Sequence, residues 1–377
     1  MQQDIFFSNL KEQYTLELPF VVYRKPNASE VTAFLQKDST INYVSDFQEK
    51  GFVFAPFNTA EKPILFKEED CERITIDSFK KLENLFLVDT SAIISEAAHQ
   101  FHVALVTNAV STLKEETDFK KVVLSRKESV AIEAFSPLEV FQNILATYPT
   151  AFCYCWYHPS IGLWLGATPE TLLKVYRNKL STMALAGTQR YIEHTEATWG
   201  EKEIREQQIV TDTIVEALSD KVQKLEVSKA HTHRAGNLLH LKTDISGTVA
   251  MGDDGIKEVI TALHPTPAVC GLPRERAKNF IVANEGYDRS FYSGYLGELN
   301  NVQTTERNRN RRNVENSVYK STATGSHLFV NLRCMEYTDG LLHFYVGGGI
   351  VEGSDGEAEW QETVHKSNTM KKILPVK

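Results

Sequence analysis

Short apolar runs separated by Pro, Asn and charged clusters fill roughly residues 1–110, with 18–23 and 51–56 the clearest. Runs of that length bounded by turn formers predict strands with tight connections. An apolar stripe with several alanines predicts a helix over residues 90–113. Beyond it, strands are predicted at 122–125, 151–157, 172–175, 180–186, 327–335 and 341–347, interrupted by long helices. The clearest helix is predicted over 201–225, where Val210, Ile214, Leu218 and Val222 recur at four-residue intervals. Glu206 lies on the same row one turn earlier, and Glu362, Lys366, Met370 and Leu374 share one row of a C-terminal helix. Periodicity thus aims a carboxylate inward near the start of each helix. The same pattern also fits a boundary glutamate reaching out to solvent, and Glu362 with Lys366 fits an ordinary i,i+4 pair.

Composition narrows the class. The chain has 377 residues, enough for one large domain or two or three ordinary ones. Hydrophobic content of 42% with 24% charged residues is that of a soluble globular protein, and no stretch approaches the roughly 18 uninterrupted apolar residues of a membrane span. The first ten residues carry Asp4 and no basic segment followed by an apolar run, so no signal peptide is read and a cytoplasmic location is expected. Five cysteines (Cys71, Cys153, Cys155, Cys270, Cys334) without a CxxC pair argue against a disulfide framework and a structural zinc site. Cys153 and Cys155 would point to one side of a strand, as core residues do. A net charge of −8 disfavours nucleic-acid binding. One low-complexity segment, 300–325, holds "TTERNRNRRNVENS"; no aromatic residues interleave with Arg307, Arg309, Arg311 and Arg312, so it reads as a solvated hairpin loop. No internal repeat or Pro/Gly/Ser linker divides the chain.

Candidate chemistry gathers in four distant stretches, 119–126, 166–173, 203–210 and 347–366, which supply one lysine and several glutamates. Each has an ordinary reading. Lys120 and Lys121 fit an edge-strand charge pair, Pro169-Glu170 fits a helix start, and Gly347-Gly348-Gly349 fits a turn. Their joint wording, "KKVVLSR", "LGATPETLL", "LAGTQR", "EKEIREQQIV", "LHPTPAVCGLPR", "NLRCMEY" and "VGGGIVEGSDGEAEWQETVHK", resembles the chorismate-utilising enzymes and, within them, the isochorismate synthases. The resemblance covers roughly residues 115–374, in the family's order.

It implies an α/β (α+β) fold: a single large chorismate-binding domain, two packed antiparallel sheets flanked by helices, and a cleft between them. Residues 1–114 would complete that fold and 115–374 form the catalytic region. The implied reaction is attack of water on C2 of chorismate with loss of the C4 hydroxyl. Lys121 is the implied general base and Glu170, in "GATPE", the general acid, which would need a raised pKa that neighbours such as Trp164, Leu165 and Leu172 could provide. Mg²⁺ is the implied cofactor, held by Glu206 and Glu362 with Glu203 and Glu359 one turn earlier in each helix. Arg333 and Tyr292 would hold substrate carboxylates, with Lys366 and the backbone of Gly347 and Gly349 completing the clamp. Gly187 and Thr188 are expected beside the ring, and His264 near its C4 side. Two departures stand out. Gln207 follows Glu206 where the family usually has histidine, and Ser290 replaces the glycine of "R-G-x-Y-x-G".

Related activities share the scaffold. Anthranilate and aminodeoxychorismate synthases take ammonia from a glutaminase partner, but their "PAGTLSGAPK"-like stretch is replaced here by "HPTPAVCGLPR" and no N-terminal "LLES" is present. A monomer without a glutaminase subunit is therefore expected, feeding menaquinone or siderophore synthesis. Salicylate synthase, which also eliminates pyruvate, is the nearest alternative. A silent chorismate-binding protein would be expected to lose Lys121 or a metal glutamate, and this chain retains them.

Overall fold

Both faces of most strands are buried, which is why they read as apolar runs and not as alternating patterns. The structure, a computed structural model, describes residues 1–80, 83–87, 90–92, 95–132, 135–193, 197–235, 238–249, 255–305 and 321–374. In chain order the first third contains α1 (Gln3–Thr15), β1 (Phe20–Arg24), β2 (Val31–Gln36), β3 (Gly51–Ala55), β4 (Ile64–Lys67), β5 (Cys71–Ile76), β6 (Thr90–Ala92), α2 (Glu96–Glu115) and β7 (Lys121–Ile132). Then come α3 (Pro137–Thr147), β8 (Phe152–His158), β9 (Gly162–Thr168), β10 (Thr171–Tyr176), β11 (Lys179–Arg190), α4 (Glu201–Leu218), β12 (Val222–Val227), β13 (His231–Ala235) and β14 (Leu238–Val249). The chain closes with α5 (Gly255–Leu263), β15 (Gly271–Leu272), α6 (Arg274–Asn284), β16 (Tyr295–Thr305), β17 (Ser321–Val330), β18 (Cys334–Thr338), β19 (Leu341–Ile350) and α7 (Gly356–Lys371).

Two antiparallel sheets result. One has the order β15-β7-β19-β18-β9-β8-β1-β2-β5, with β6 also pairing β7; the other runs β12-β14-β11-β10-β17-β16-β3-β4, with β13 also pairing β14. Strands from the first eighty residues lie in both sheets, β1 beside β8 and β3 beside β16. Between the sheets sits an aromatic core that includes Tyr23, Phe54, Phe152, Trp156, Trp164 and Phe329. Phe54 stacks on Phe291 with centroids 4.2 Å apart, and Phe152 on Phe329 at the same spacing. The alternation of β8 shows how this arises: Phe152, Tyr154 and Trp156 enter the aromatic core, while Cys153 and Cys155 pack outward under α1 and α3. All five cysteines are free and buried. On the other sheet's outer face, Val210, Ile214 and Leu218 of α4 pack on β10, β11 and β14.

Several predicted elements are corrected. The 201–225 helix ends at Leu218; Val222 and Leu225 belong to β12, and Val222 kept the helical interval because it packs in the same core from a strand. The 90–113 segment is a short strand followed by a helix that starts after Ser95, whose hydroxyl accepts the Ala98 N–H. Helix α1 was not predicted, since its mostly polar residues bury only Phe6, Phe7 and Leu10. The 327–335 strand is two strands in different sheets, broken at residues 331–333. The arginine cluster at 307–312 lies outside the described residues. Among the described residues no helix is long and apolar enough to cross a membrane.

Candidate active site

The chain passes between the sheets at two places that matter. It leaves β9 for β10 through Pro169-Glu170, and leaves β17 for β18 through residues 331–333. These crossings are bonded to each other: the Thr168 hydroxyl donates to the Val330 carbonyl at 2.6 Å, Val330 N–H to Glu170 O at 3.0 Å and Ala167 N–H to Arg333 O at 3.1 Å. Asn331 is buried with both ends of its amide used, Oδ1 accepting from Tyr154 at 2.6 Å and Nδ2 donating to Phe291 O at 2.9 Å. Arg333 takes a left-handed φ of 49° at the turn. Glu170 and Arg333 are thus fixed side by side, on backbone that belongs to neither sheet.

Both line one cavity with Lys121, Tyr292, Lys366 and the Gly347-Gly348-Gly349 run. Lys121 is not an edge lysine: β15 and β19 flank β7, and the side chain is buried with Nζ 2.6 Å from Glu206 Oε1. Lys120 beside it is exposed. The three glycines are no turn but lie within β19, opposite Ser125, Leu124 and Val123. Their lack of a Cβ makes room for the side chains around them. At Gly349 a Cβ would stand 2.9 Å from Lys121 Cε and 3.0 Å from Glu206 Oε1; at Gly347 it would stand 3.0 Å from the Tyr292 hydroxyl. Lys366 donates to Gly347 O at 2.8 Å and pairs with Glu362 at 2.7 Å, so the i,i+4 pair does form and faces the cavity.

Glu203 and Glu359, in the first turns of α4 and α7, and Glu206 and Glu362, one turn later, supply carboxylates to the same cavity. Ser354 donates to Glu359 Oε1 at 2.7 Å, and the Asp355 carboxylate caps α7 by accepting from Ala358 N–H at 2.9 Å. At Gly348 a Cβ would lie 3.2 Å from Glu359 Oε2 and 4.0 Å from Glu362 Oε1. An all-oxygen donor set on two helix starts suits a hard divalent cation. Among the described residues, however, no three acidic, imidazole or thiol groups converge on one point. Such an ion would need further ligands from water or a bound anion.

Burial acts on the ionisable groups of the cavity wall. Burial raises the Glu170 carboxyl to about 7, against the opposing pull of Lys121 and Arg333. Apolar groups lining the cavity with it include Pro169, Leu185, Ala186 and Leu332; Trp164, Leu165 and Leu172 do not line it. Burial also raises the Tyr292 hydroxyl, keeping it a neutral donor.

His264 is corrected: it lies outside the cavity lining, buried against the Tyr295 ring with Nε2 3.1 Å from Pro56 O. Burial lowers it to about 3, so it is a neutral structural donor. The histidine that does line the cavity is His240 on β14, absent from the sequence-based candidates. Its Nδ1–H donates to Gly187 O at 2.9 Å, leaving Nε2 to accept from Arg333 Nη2 at 3.1 Å. Burial, then Arg333, hold it near 3, consistent with that neutral tautomer. Its only sequence signal was a lone histidine among the leucines of "NLLHLK". Gly187, at φ 65°, lets Glu203 and Trp199 approach to 3.3 Å from where a Cβ would be. Thr188 follows on β11, and its side chain lies outside the described residues.

The sequence matches the family model described as chorismate binding enzyme over residues 58–307, more than half of the chain, and a second model of that description over 318–372. The chain belongs to the chorismate-binding enzymes. It is 30% identical over 280 residues to the salicylate biosynthesis isochorismate synthase of Pseudomonas aeruginosa, an alignment covering 72% of this chain and 54% of that protein. It is 30% identical over 283 residues to isochorismate synthase MenF of Escherichia coli, covering 72% and 59%. The chain therefore spans somewhat over half the length of these relatives. A crystal structure of a putative 2,3-dihydroxybenzoate-specific isochorismate synthase from Bacillus anthracis shares the fold at a TM-score of 0.76 and 21% identity, covering 97% of this chain and 98% of that one.

Both departures from the family wording have a local explanation. Gln207 points away from the cavity and donates to Ala184 O at 3.0 Å and Thr243 Oγ1 at 3.1 Å, tying α4 to β11 and β14. Ser290 adopts φ 49°, the backbone a glycine would favour, with its N–H on Asp288 Oδ1 at 2.8 Å.

Proposed function

We propose that this chain is an isochorismate synthase, converting chorismate to isochorismate by adding water at C2 and expelling the C4 hydroxyl. The observation that carries the reading is the pairing, in one cavity, of a buried lysine with a carboxyl that keeps its proton to about pH 7. Water must lose a proton to attack and hydroxide must gain one to leave, so this reaction needs both groups. Ammonia attacks through its own lone pair and needs a base less. Lys121 takes the proton from water and Glu170 gives one to the departing oxygen. Arg333, oriented by His240, and Tyr292 bind carboxylate oxygens of the dianionic substrate, the guanidinium as a fork.

Mg²⁺ belongs to the same proposal. Glu206 and Glu362 would hold it, with Glu203 and Glu359 beside them, and when bound it would supply the positive charge that stabilises electrons drawn toward the ring carboxylate. Using water removes the need for a glutaminase partner, and a cytoplasmic location belongs to the same proposal. The test is product separation after incubating the purified chain with chorismate and Mg²⁺, with and without ammonium. Isochorismate in both samples supports the reading; an amino product that requires ammonium, with no isochorismate, refutes it.

A further inference from the structure

A second cavity lies behind the Lys121–Glu206 pair. Those two side chains line it as they line the first, and its other walls include Lys114 in the last turn of α2, Thr117 just after it, Lys120, Arg205 of α4, and Glu352 and Gly353 after β19. The ion pair, 2.6 Å from Nζ to Oε1, therefore borders both spaces. Resting on the hydration reading above, we propose that this rear cavity is the route by which the small nucleophile reaches Lys121 while the organic substrate fills the front.

The argument starts from stoichiometry. One C–O bond forms at C2 with an oxygen from solvent and one breaks at C4, so each turnover consumes a water on one side and releases another elsewhere. Lys121 accepts the first water's proton and Glu170 donates to the departing oxygen. A substrate gripped by Arg333, Tyr292 and Lys366 occupies the front cavity, which closes that way in for the next water. The rear cavity also reaches Lys121, and Lys114, Lys120, Arg205 and Glu352 give it walls that water wets. None of these residues lines the front cavity.

Gly353 offers a direct test, because a Cβ there meets nothing within 4 Å and its backbone is not left-handed. Gly353→Trp should fill the rear cavity without strain. It should lower kcat about ten-fold or more while KM for chorismate stays within about two-fold, and Gly353→Ala should match wild type. Thr117→Trp, at another point of the same lining, should act alike, with thermal midpoints showing that both variants fold. Wild-type kcat in both Trp variants would overturn the proposal. So would a raised KM with unchanged kcat, which would put the cavity on the path of the substrate. The product formed by wild type, with and without ammonium, tests the parent reading separately; the variant ratio is read on whichever product forms, since ammonia would need the same route.

Discussion

Glu170 carries a cost that depends on pH. Its carboxyl has an ordinary value of 4.5, which the unfolded chain would show, and burial raises it to about 7 in the fold. Between those values the unfolded state binds fewer protons, so stability is full below about 4.5 and falls as pH rises toward 7. The loss approaches roughly 3 kcal/mol at about 1.36 kcal/mol per pH unit. Glu170→Gln removes the titration, so its stability relative to wild type should climb by up to that amount between pH 4 and 8, read from urea midpoints; parallel profiles would contradict the raised value. Turnover by wild type should decline above about pH 7 as the acid loses its proton. Lys121→Ala should cut turnover by about 10²-fold or more with folding and KM little changed, which steady-state kinetics beside circular dichroism would check. At this scale the family wording marked residues that the fold brings to one cavity, as at Lys121, Glu170 and Arg333. It misled at His264, because a histidine's surroundings are set by strands far away in the chain; His240 meets Arg333 across 93 positions.

Elements place these groups through contacts that tolerate no added volume. Gly294, just before β16, is the plainest case: a Cβ there would lie 1.9 Å from Ala55 O, a backbone atom that cannot turn aside. Gly294→Ala should therefore lower stability by about 1–3 kcal/mol in denaturant melts, whereas Gly353→Ala should leave it unchanged. Strand positions were legible because apolar runs mark strands buried on both faces. The break at residues 331–333 was not, since "VNLRCM" reads as one run and only pairing partners reveal that β17 and β18 sit in different sheets. The end of α4 was hidden likewise, with Val222 extending the helical interval from a strand.

For the whole molecule, two sheets around an aromatic core hold the crossings rigid, and α4 and α7 bring four glutamates to one cavity wall. If those carboxylates hold the proposed Mg²⁺, EDTA should abolish turnover and added Mg²⁺ restore it, while Glu206→Gln and Glu362→Gln should raise the Mg²⁺ concentration needed about ten-fold or more. Metal titrations of activity would show this, and full turnover in metal-free buffer would contradict it. The central claim is that solvent water, activated at Lys121, becomes the C2 hydroxyl. Its most direct test is to run the purified chain with chorismate and Mg²⁺ in ¹⁸O-labelled water, without ammonium, and locate the label at early conversion. The account predicts isochorismate carrying one solvent oxygen at C2; unlabelled isochorismate, or no isochorismate at all, would contradict it.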